Sequence, residues 1–494
     1  MKERRRSWAN LYAWQLARSG DAPLFRQIYG QIRLAILSQD LRPGTKLPST
    51  RHLAAQLRVS RSAVVAAYEQ LLAEGYACGK VGSGSYVSSD LPEPVEARYS
   101  KRSKRPAAPA RLEAPLSQDF VDVTAQDEER PFNLGRTLVD ARTTALWRKS
   151  SARVFRLLGH DHFGYSDPRG LPVLRMAICD YLRAARAVRC EPEQIVVTAG
   201  TQHAIDLVIR VLHRGDLHQG DLQAWIEDPG YALTRYALVA AGVKTRAIPV
   251  DAAGIDVAAG IKLAPKARAV FITPSHQFPT GVVLSMARRL ELLSWAREAK
   301  VWIVEDDYAS EFRYGGRALA SLQGLDEGGR VIYVGTLNKA LFPGLRLGYA
   351  VVPPALLKPF ITARYLTDRQ PSSLAQSVVA DFIEEGHFAA HLRRMRLQYK
   401  DQRDALVAAL RTRLDSDITV DPPDQGMHLV AHLRRGLKDV AIERAGRERG
   451  VIVRAMSRLY VDASPRSALM MGFSGYPQAM IVPAVERLAR AMRP

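Results

Sequence analysis

The chain has 494 residues, of which 47% are hydrophobic and 24% charged, a globular composition that excludes a disordered or fibrous chain. It has no uncharged apolar run of about 18 residues, no secretion-type apolar segment after its basic start, and only three cysteines without a Cys-x-x-Cys pair. A membrane span, a disulfide framework and a zinc site are therefore excluded, and we expect a cytoplasmic protein of about three domains without a bound metal.

Positive charge is concentrated near the amino terminus. Residues 1–111 hold 19 Lys and Arg against 8 Asp and Glu, so they carry more than half of the net charge of +20. A concentrated positive field favours a polyanion as the partner, either nucleic acid or an anionic membrane surface. The less favoured alternative is an arginine-rich surface that only keeps the protein soluble.

Composition divides the chain into three regions. Residues 1–90 are rich in short helical patterns, and residues 126–494 alternate short apolar runs with helical stretches. Between them, residues 91–125 are predicted to be a basic, proline-rich linker. The part at 91–111 holds four prolines, six basic residues and few apolar side chains, which cannot build a core.

The first region predicts helices followed by a hairpin. Residues 23–39 carry an apolar stripe at helical spacing, Ser49 and Ser60 are good N-caps for two shorter helices, and Gly75 ends the last helix. Residues 79–87 contain three glycines and predict a hairpin. This order is that of a winged helix-turn-helix, a mainly α domain whose recognition helix enters the major groove of DNA.

Side chains at the start of the predicted recognition helix and on the hairpin are candidate DNA contacts. Arg61 and Ser62 lead that helix, whereas Lys46 and Arg51 are placed to reach phosphate. The full candidate set is Lys46, Ser49, Arg51, Ser60, Arg61, Ser62 and Gly84.

The segments at 47–54 and 59–71 strongly resemble the GntR-type winged-helix DNA-binding domain, over roughly residues 22–88. The resemblance implies that double-stranded operator DNA is a partner. The sequence departs from the family at Val65 and Ala66, where many relatives carry a basic side chain, which puts one base or phosphate contact in question.

The third region predicts a mostly parallel sheet. Its short runs are rich in β-branched and aromatic residues, and a helical segment follows each run. They lie at residues 194–198, 224–226, 269–272, 301–304 and 331–334. This pattern predicts an α/β domain whose sheet is buried on both faces, with a small α+β C-terminal subdomain.

Lys339 follows one of these runs, in an apolar and glycine-rich turn between Thr336 and Arg346. Partial desolvation there would lower the pKa of Lys339 and free its amine for a Schiff base. Arg346 can pair with a phosphate through two hydrogen bonds, and Thr336 can donate a third.

Three other strand ends carry groups that suit ligand binding in an open α/β sheet. A carboxylate can keep a pyridine nitrogen protonated, and a glycine turn before a helix offers N–H groups to a phosphate. The residues are Asp306 and Tyr308 at one strand end, Gly200, Thr201 and Gln202 at the second, and Tyr231 at the third.

Together and in this order, these segments resemble the fold-type I, class I aminotransferases, over roughly residues 130–490. The resemblance implies pyridoxal 5′-phosphate (PLP) as the cofactor, with Lys339 as its Schiff-base lysine. The other implied roles are Asp306 at the pyridine nitrogen, Tyr308 at the ring oxygen, Tyr231 stacked on the ring, Gly200, Thr201, Gln202, Thr336 and Arg346 around the phosphate, and Tyr165 at the partner subunit's site in a homodimer.

The sequence departs from the aminotransferase pattern at two positions. Phe278 stands where aminotransferases usually have an asparagine that touches the cofactor oxygen, and Met470 stands where they carry the arginine that grips the α-carboxylate. Arg454, Arg458 or Arg466 could substitute for that arginine, but their spacing selects none of them.

A GntR-type head, a basic linker and an aminotransferase-like body together resemble the MocR/GabR-type transcriptional regulators, over almost the full chain. The resemblance implies a regulator that senses an amine, an amino acid or PLP itself. Two other interpretations stay open: an active class I aminotransferase that also binds DNA, and a DNA-binding protein whose body only dimerises.

Overall fold

The computed structural model describes residues 16, 22–80, 83–89, 130–159, 162–214, 222–315, 320–434 and 436–493. The chain divides into two compact units, Met1–Leu112 and Glu113–Pro494. The predicted linker over residues 91–125 lies outside the described residues.

The first unit is a winged helix. Its elements are α1 (Leu24–Leu37), α2 (Thr50–Leu57), α3 (Arg61–Ala73), β1 (Ala77–Lys80) and β2 (Gly84–Val87). The two strands form an antiparallel hairpin, in which Ala77 pairs with Val87. Ile28 and Ile32 of α1 pack with Val64 in a core that is separate from those of the second unit. The predicted helices and hairpin are confirmed.

The second unit is an α/β body with an additional small sheet. Its helices are α4 (Ala141–Arg156), α5 (Pro172–Arg186), α6 (Thr201–Arg214), α7 (Ala232–Ala240), α8 (Val257–Leu263), α9 (Met286–Glu298), α10 (Leu322–Leu325), α11 (Leu337–Ala340), α12 (Pro354–Asp368), α13 (Ser373–Glu384), α14 (His387–Leu414), α15 (Asp439–Glu448) and α16 (Ile481–Met492). Its strands are β3 (Ile195–Thr198), β4 (Gln223–Asp228), β5 (Lys244–Asp251), β6 (Gly254–Ile255), β7 (Ala269–Ile272), β8 (Trp302–Asp307), β9 (Val331–Thr336), β10 (Gly348–Val351), β11 (Ile418–Val420), β12 (His428–Leu433), β13 (Arg454–Ala455) and β14 (Ala468–Gly472).

The large sheet has the strand order β3-β10-β9-β8-β7-β4-β5-β6. The neighbours from β9 through β8, β7 and β4 to β5 pair in parallel, whereas β10 runs antiparallel to both β9 and β3. The carboxyl ends of β3, β4, β7, β8 and β9 therefore lie at one edge of the sheet. This edge is where an open α/β sheet binds its ligands.

Both faces of the sheet are buried, because successive residues of a strand point to opposite sides. On β9, Ile332 and Val334 pack into one core together with Phe360 of α12, whereas Tyr333 between them packs into another core with Leu182 of α5. Because both faces are buried, the short runs predicted as strands do not alternate between apolar and polar residues. The predicted mostly parallel, doubly covered sheet is confirmed.

The C-terminal part forms a small antiparallel sheet with the order β11-β12-β14-β13. The helices α15 and α16 pack against each other beside this sheet, which confirms the predicted α+β subdomain. None of the helices in the described part of the chain is long and apolar enough to cross a membrane. Within the same residues, no cluster of His, Cys, Asp and Glu is arranged to hold a metal ion.

Candidate cofactor site and DNA-binding surface

A cavity of about 390 Å³ lies at the edge where the strands of the large sheet end. Every cofactor residue predicted from the sequence lines it, with the exception of Tyr165. The lining residues are Leu134, Gly135, Gly200, Thr201, Gln202, Tyr231, Thr273, Phe278, Asp306, Tyr308, Thr336, Asn338, Lys339, Pro343, Arg346, Met427 and His428. Residues from five strand ends thus meet in one concave site.

Lys339 reaches the cavity from α11, the short helix that directly follows β9. Its Nζ donates a hydrogen bond of 3.0 Å to the backbone carbonyl of Gly135. Gly135 has a φ of +68°, and a Cβ at that position would overlap the lysine amine. Only a glycine can approach Lys339 in this way, and Gly135 was not predicted from the sequence.

The three consecutive acids at the end of β8 have different partners. Glu305 accepts the amides of Leu322 and Gln323, and Asp307 accepts a hydrogen bond of 2.8 Å from Nε of Arg186. Asp306, between them, faces the cavity. Alternation along the strand therefore leaves Asp306 as the acid that a ligand can reach.

Among the described residues, no cation forms an ion pair with the carboxyl of Asp306. Its Oδ1 is buried without a hydrogen-bond partner among the described residues. Burial raises the pKa of Asp306 to about 8, and the nearby acids Asp307 and Glu227 contribute to that rise. A buried carboxyl of this kind can hold a proton or receive one from a ligand near neutral pH.

Three other polar groups of the cavity also lack partners in the part of the chain that the structure describes. The hydroxyl of Tyr308, Oγ1 of Thr201 and Oε1 of Gln202 are all buried, and none of them has a hydrogen-bond partner there. Leaving such groups unsatisfied costs free energy, so a polar ligand that pairs with them is favoured.

Glycine makes room at the start of α6. Gly200 has a φ of +116°, and a Cβ there would lie 2.8 Å from Nδ2 of Asn338. Asn338 in turn accepts the amide of Leu347 through its Oδ1 at 3.0 Å, and Thr336 caps α11 by accepting the amide of Asn338 at 3.2 Å. Asn338 therefore connects the turn that contains Lys339 with the turn before α6. This residue was not predicted from the sequence.

One wall of the cavity is aromatic. The ring of Tyr231 meets that of Phe278 edge to face, with 5.5 Å between the centroids, and the ring of Tyr308 lies 6.3 Å from Phe278. Burial raises the pKa of Tyr231 to about 12, so its hydroxyl stays protonated and can donate a hydrogen bond.

Tyr165 lies outside this cavity. Its side chain is 80% exposed, and the guanidinium of Arg369 lies 4.1 Å from the centroid of its ring. A place for Tyr165 in the site of a partner subunit stays a prediction.

Met470 lies on β14 with only 3% of its surface exposed. Of the arginines considered as substitutes, Arg454 and Arg458 both lie near Glu443, with N–O distances of 3.6 and 3.5 Å. Neither they nor Arg466 are among the residues that line the cavity.

In the winged helix, two of the candidate DNA contacts have a structural role. Ser49 and Ser60 cap α2 and α3, since their hydroxyls accept the amides of His52 at 3.2 Å and Ala63 at 3.3 Å. Arg61 and Ser62 follow the second cap, and both side chains are exposed at the amino end of α3. The capped terminus thus presents them to solvent, as a recognition helix requires.

The remaining candidates lie on or near the hairpin, except for Arg51, which is exposed on α2. The backbone of Lys46 forms an isolated β-bridge with that of Tyr86 in β2. A Cβ added at Gly84 would lie 3.6 Å from Cε of Lys46. Lys80, which was not among the candidates, places its amine 5.0 Å from the ring centroid of Tyr86. Two lysines therefore flank one aromatic ring on the wing, a suitable surface for the DNA backbone.

Comparisons with known proteins match both the winged helix and the α/β body. The model of the family "Aminotransferase class I and II" matches residues 132–488, and that of "Bacterial regulatory proteins, gntR family" matches residues 24–87. The structure of LysN, an alpha-aminoadipate aminotransferase of Thermus thermophilus complexed with N-(5'-phosphopyridoxyl)-L-leucine, is 25% identical with a TM-score of 0.67, and the match covers 78% of this chain and 98% of LysN.

Two relatives span both units. The probable rhizopine catabolism regulatory protein MocR of Rhizobium meliloti is 40% identical over 466 residues, which are 93% of this chain and 92% of that protein. The uncharacterized HTH-type transcriptional regulator YhdI of Bacillus subtilis is 32% identical over 480 residues, which are 97% and 98% of the two chains.

A GntR-type winged helix in the same chain as a class I and II aminotransferase fold defines a class of DNA-binding regulators. The chain belongs to the MocR/GabR-type transcriptional regulators.

Proposed function

We propose that this protein is a transcriptional regulator that holds PLP on Lys339 and changes its affinity for operator DNA when a small amine binds beside the cofactor. One observation carries the proposal: Lys339 shares a single cavity with the unsatisfied groups of Asp306, Tyr308 and Thr201. The winged helix supplies the DNA-binding function.

The groups without partners fit the polar parts of PLP. PLP has a pyridine nitrogen that a carboxyl binds, a ring oxygen that a phenol binds, and a phosphate that hydroxyls and backbone amides bind. Asp306 would hold the nitrogen, Tyr308 the ring oxygen, and Thr201 with the amino end of α6 the phosphate. Arg346, exposed at the rim, would add a second phosphate contact.

When bound, PLP supplies an aldehyde that condenses with primary amines. Lys339 would hold the cofactor covalently until an amine competes for it. Asp306 would keep a proton at the ring nitrogen, because burial already raises the pKa of its carboxyl to about 8. Tyr231 would cover one face of the ring from the aromatic wall.

An amine that displaces Lys339 changes the contacts of the lysine. In the structure, the amine of Lys339 donates a hydrogen bond to the carbonyl of Gly135, in the segment that precedes α4. Asp228 at the end of β4 accepts the amides of Val461, Asp462 and Ala463, which tie the large sheet to the small subdomain. A ligand-dependent change in these contacts would bias the position of that subdomain.

A homodimer follows as part of the proposal. Four large apolar side chains between residues 155 and 165 are at least 56% exposed: Phe155, Leu157, Phe163 and Tyr165. A monomer seldom leaves so many large apolar side chains in water, so a second copy would cover them. Two winged helices on such a dimer would read two half-sites of operator DNA in the cytoplasm.

The aminotransferase alternative needs a cation for the substrate carboxylate, and the described lining residues offer none besides Lys339 and Arg346, which the cofactor would use. The cavity wall next to β14 is built by Phe278 and Leu134, which pack against buried Met470. Turnover of an amino acid needs its α-carboxylate fixed, because proton removal depends on orientation. Slow half-reactions are compatible with this site, whereas efficient transamination is not.

The test combines cofactor trapping with a DNA shift. Purified protein is incubated with PLP, reduced with borohydride and mapped by peptide mass spectrometry, and we expect a stable adduct on Lys339. The same loaded protein is then titrated with amines while its binding to a fragment of its own upstream DNA is followed by gel shift. Protein that stays colourless with PLP and carries no adduct would refute the proposal.

A further inference from the structure

One part of the cavity wall is apolar. Leu134 and Phe278 line the cavity, and both pack against a buried group formed by Met456, Ala468 and Met470. Met470 is 3% exposed and Met456 1%. A ligand that enters beside Lys339 therefore meets hydrocarbon on this side.

Positive charge in the cavity is limited to groups that the cofactor would use. Among the described lining residues, only Lys339 and Arg346 carry a permanent positive charge. The proposed function assigns the first to the cofactor aldehyde and the second to its phosphate. No cation of this wall is then left to pair with a carboxylate, and burying an unpaired carboxylate is strongly unfavourable.

His428, the first residue of β12, is the polar exception in this wall. Its Nε2 lies 3.0 Å from the carbonyl oxygen of Pro279. A carbonyl only accepts hydrogen bonds, so Nε2 must carry the proton. That bond fixes the tautomer of the ring and leaves Nδ1 as the nitrogen available to a ligand.

The imidazole of His428 is held neutral by its surroundings. Its ring meets that of His276 with 5.1 Å between the centroids and that of Phe278 with 5.5 Å. Burial lowers the pKa of His428 below its usual range and that of His276 to about 3. A neutral ring with its proton on Nε2 presents Nδ1 as a hydrogen-bond acceptor.

Arg136 is the competing candidate for a ligand carboxylate. It follows Gly135, and its Nη1 is buried without a partner in the described part of the chain. Its guanidinium, however, lies over the ring of Tyr476, 5.4 Å from the centroid, and Arg136 does not line the cavity. Arg136 is therefore a separate candidate for binding a ligand carboxylate, and a variant can test it.

We propose that the effector is a primary amine whose remaining part is uncharged and carries a hydrogen-bond donor such as a hydroxyl group, rather than an amino acid. The donor binds Nδ1 of His428, and the carbon skeleton packs against Leu134 and Phe278. This inference rests on the proposed function, since it places the amine beside the Lys339-bound cofactor.

The experiment compares three probes of equal chain length on the PLP-loaded full-length protein: 3-aminopropan-1-ol, 3-aminopropanoate and propylamine. Binding is measured by calorimetry and by the change in visible absorbance. We expect the amino alcohol to bind about fivefold more tightly than propylamine, since one hydrogen bond of about 1 kcal/mol corresponds to that ratio. We expect 3-aminopropanoate to bind most weakly of the three.

Three variants assign the preference to the wall. His428→Phe keeps a ring but removes the acceptor, so the preference for the amino alcohol over propylamine should fall to about one. Met470→Arg places a cation behind Leu134 and Phe278 and should raise affinity for 3-aminopropanoate, whereas the matched control Met470→Leu should not. Thermal unfolding of each variant reports whether it folds.

Tighter binding of 3-aminopropanoate by the wild-type protein would overturn the proposal, and loss of that binding in Arg136→Gln would identify Arg136 as the carboxylate anchor. A preference for the amino alcohol that survives in a folded His428→Phe variant would also overturn it, as would the absence of binding by all three probes. These results are distinct from failure of the proposed function, in which the protein would take up no PLP.

Discussion

Lys339 and Gly135 are 204 residues apart in sequence, yet the amine of the lysine bonds to the glycine carbonyl at 3.0 Å. Gly135 holds a φ of +68°, and its missing side chain is what admits the amine. The lysine that would carry the cofactor is thus positioned by the segment that precedes α4.

The first prediction concerns this contact. Gly135→Ala should reduce PLP occupancy about tenfold or more, because the new Cβ would overlap Nζ of Lys339 and a positive φ costs an alanine about 1 kcal/mol. Occupancy is measured by visible absorbance during a PLP titration. Gly344→Ala is the matched control, since Gly344 has no atom within 4 Å of its Cβ position and lies in the neighbouring turn. Equal occupancy in the two variants would contradict the role of Gly135.

Lys339→Ala should separate sensing from DNA binding. The variant should lose the visible absorbance of lysine-bound cofactor and every response of operator binding to amines. Its basal affinity for operator DNA should stay within about twofold of the wild type, because the winged helix has a hydrophobic core of its own. Gel shifts with and without amine test both statements, and a normal amine response in this variant would remove Lys339 from the sensing site.

Arg61→Ala should weaken operator binding by about tenfold or more, as expected for the loss of one base-edge contact of about 1–3 kcal/mol. Arg61 directly follows the Ser60 cap at the amino end of α3. Arg26→Ala is the control, since Arg26 is an exposed arginine near the start of α1. PLP uptake should be unchanged in both. If Arg26→Ala lowers operator affinity as much as Arg61→Ala, charge alone and not the recognition helix accounts for the effect.

Strand ends and helix caps could be predicted from the sequence because they depend on local patterns. Ser49 and Ser60 cap the predicted helices, and Asp306 and Lys339 follow predicted strands. Gly135 and Asn338 could not be predicted, because their roles depend on contacts with Lys339 and Gly200 that only the folded chain creates. Among Glu305, Asp306 and Asp307, Asp306 could be assigned to the cofactor only through the family resemblance. The physical reason for that assignment is that the two flanking acids have hydrogen-bond partners of their own.

The last prediction follows from the buried carboxyl of Asp306, whose pKa rises from 3.8 to about 8 on folding, mainly through burial. Between these two values the folded chain keeps a proton that the unfolded chain releases, so the free energy of unfolding falls as pH rises, by at most about 1.4 kcal/mol per pH unit. Thermal unfolding of the PLP-free protein should therefore occur at lower temperature at pH 8 than at pH 6, and the decrease should be smaller in Asp306→Asn, which has no proton to lose. PLP should also reduce the decrease in the wild type, because a protonated ring nitrogen would pair with the ionised carboxylate. Equal pH slopes for the wild type and Asp306→Asn would mean that other buried acids, such as Glu227 with a pKa raised to about 7, dominate the pH dependence.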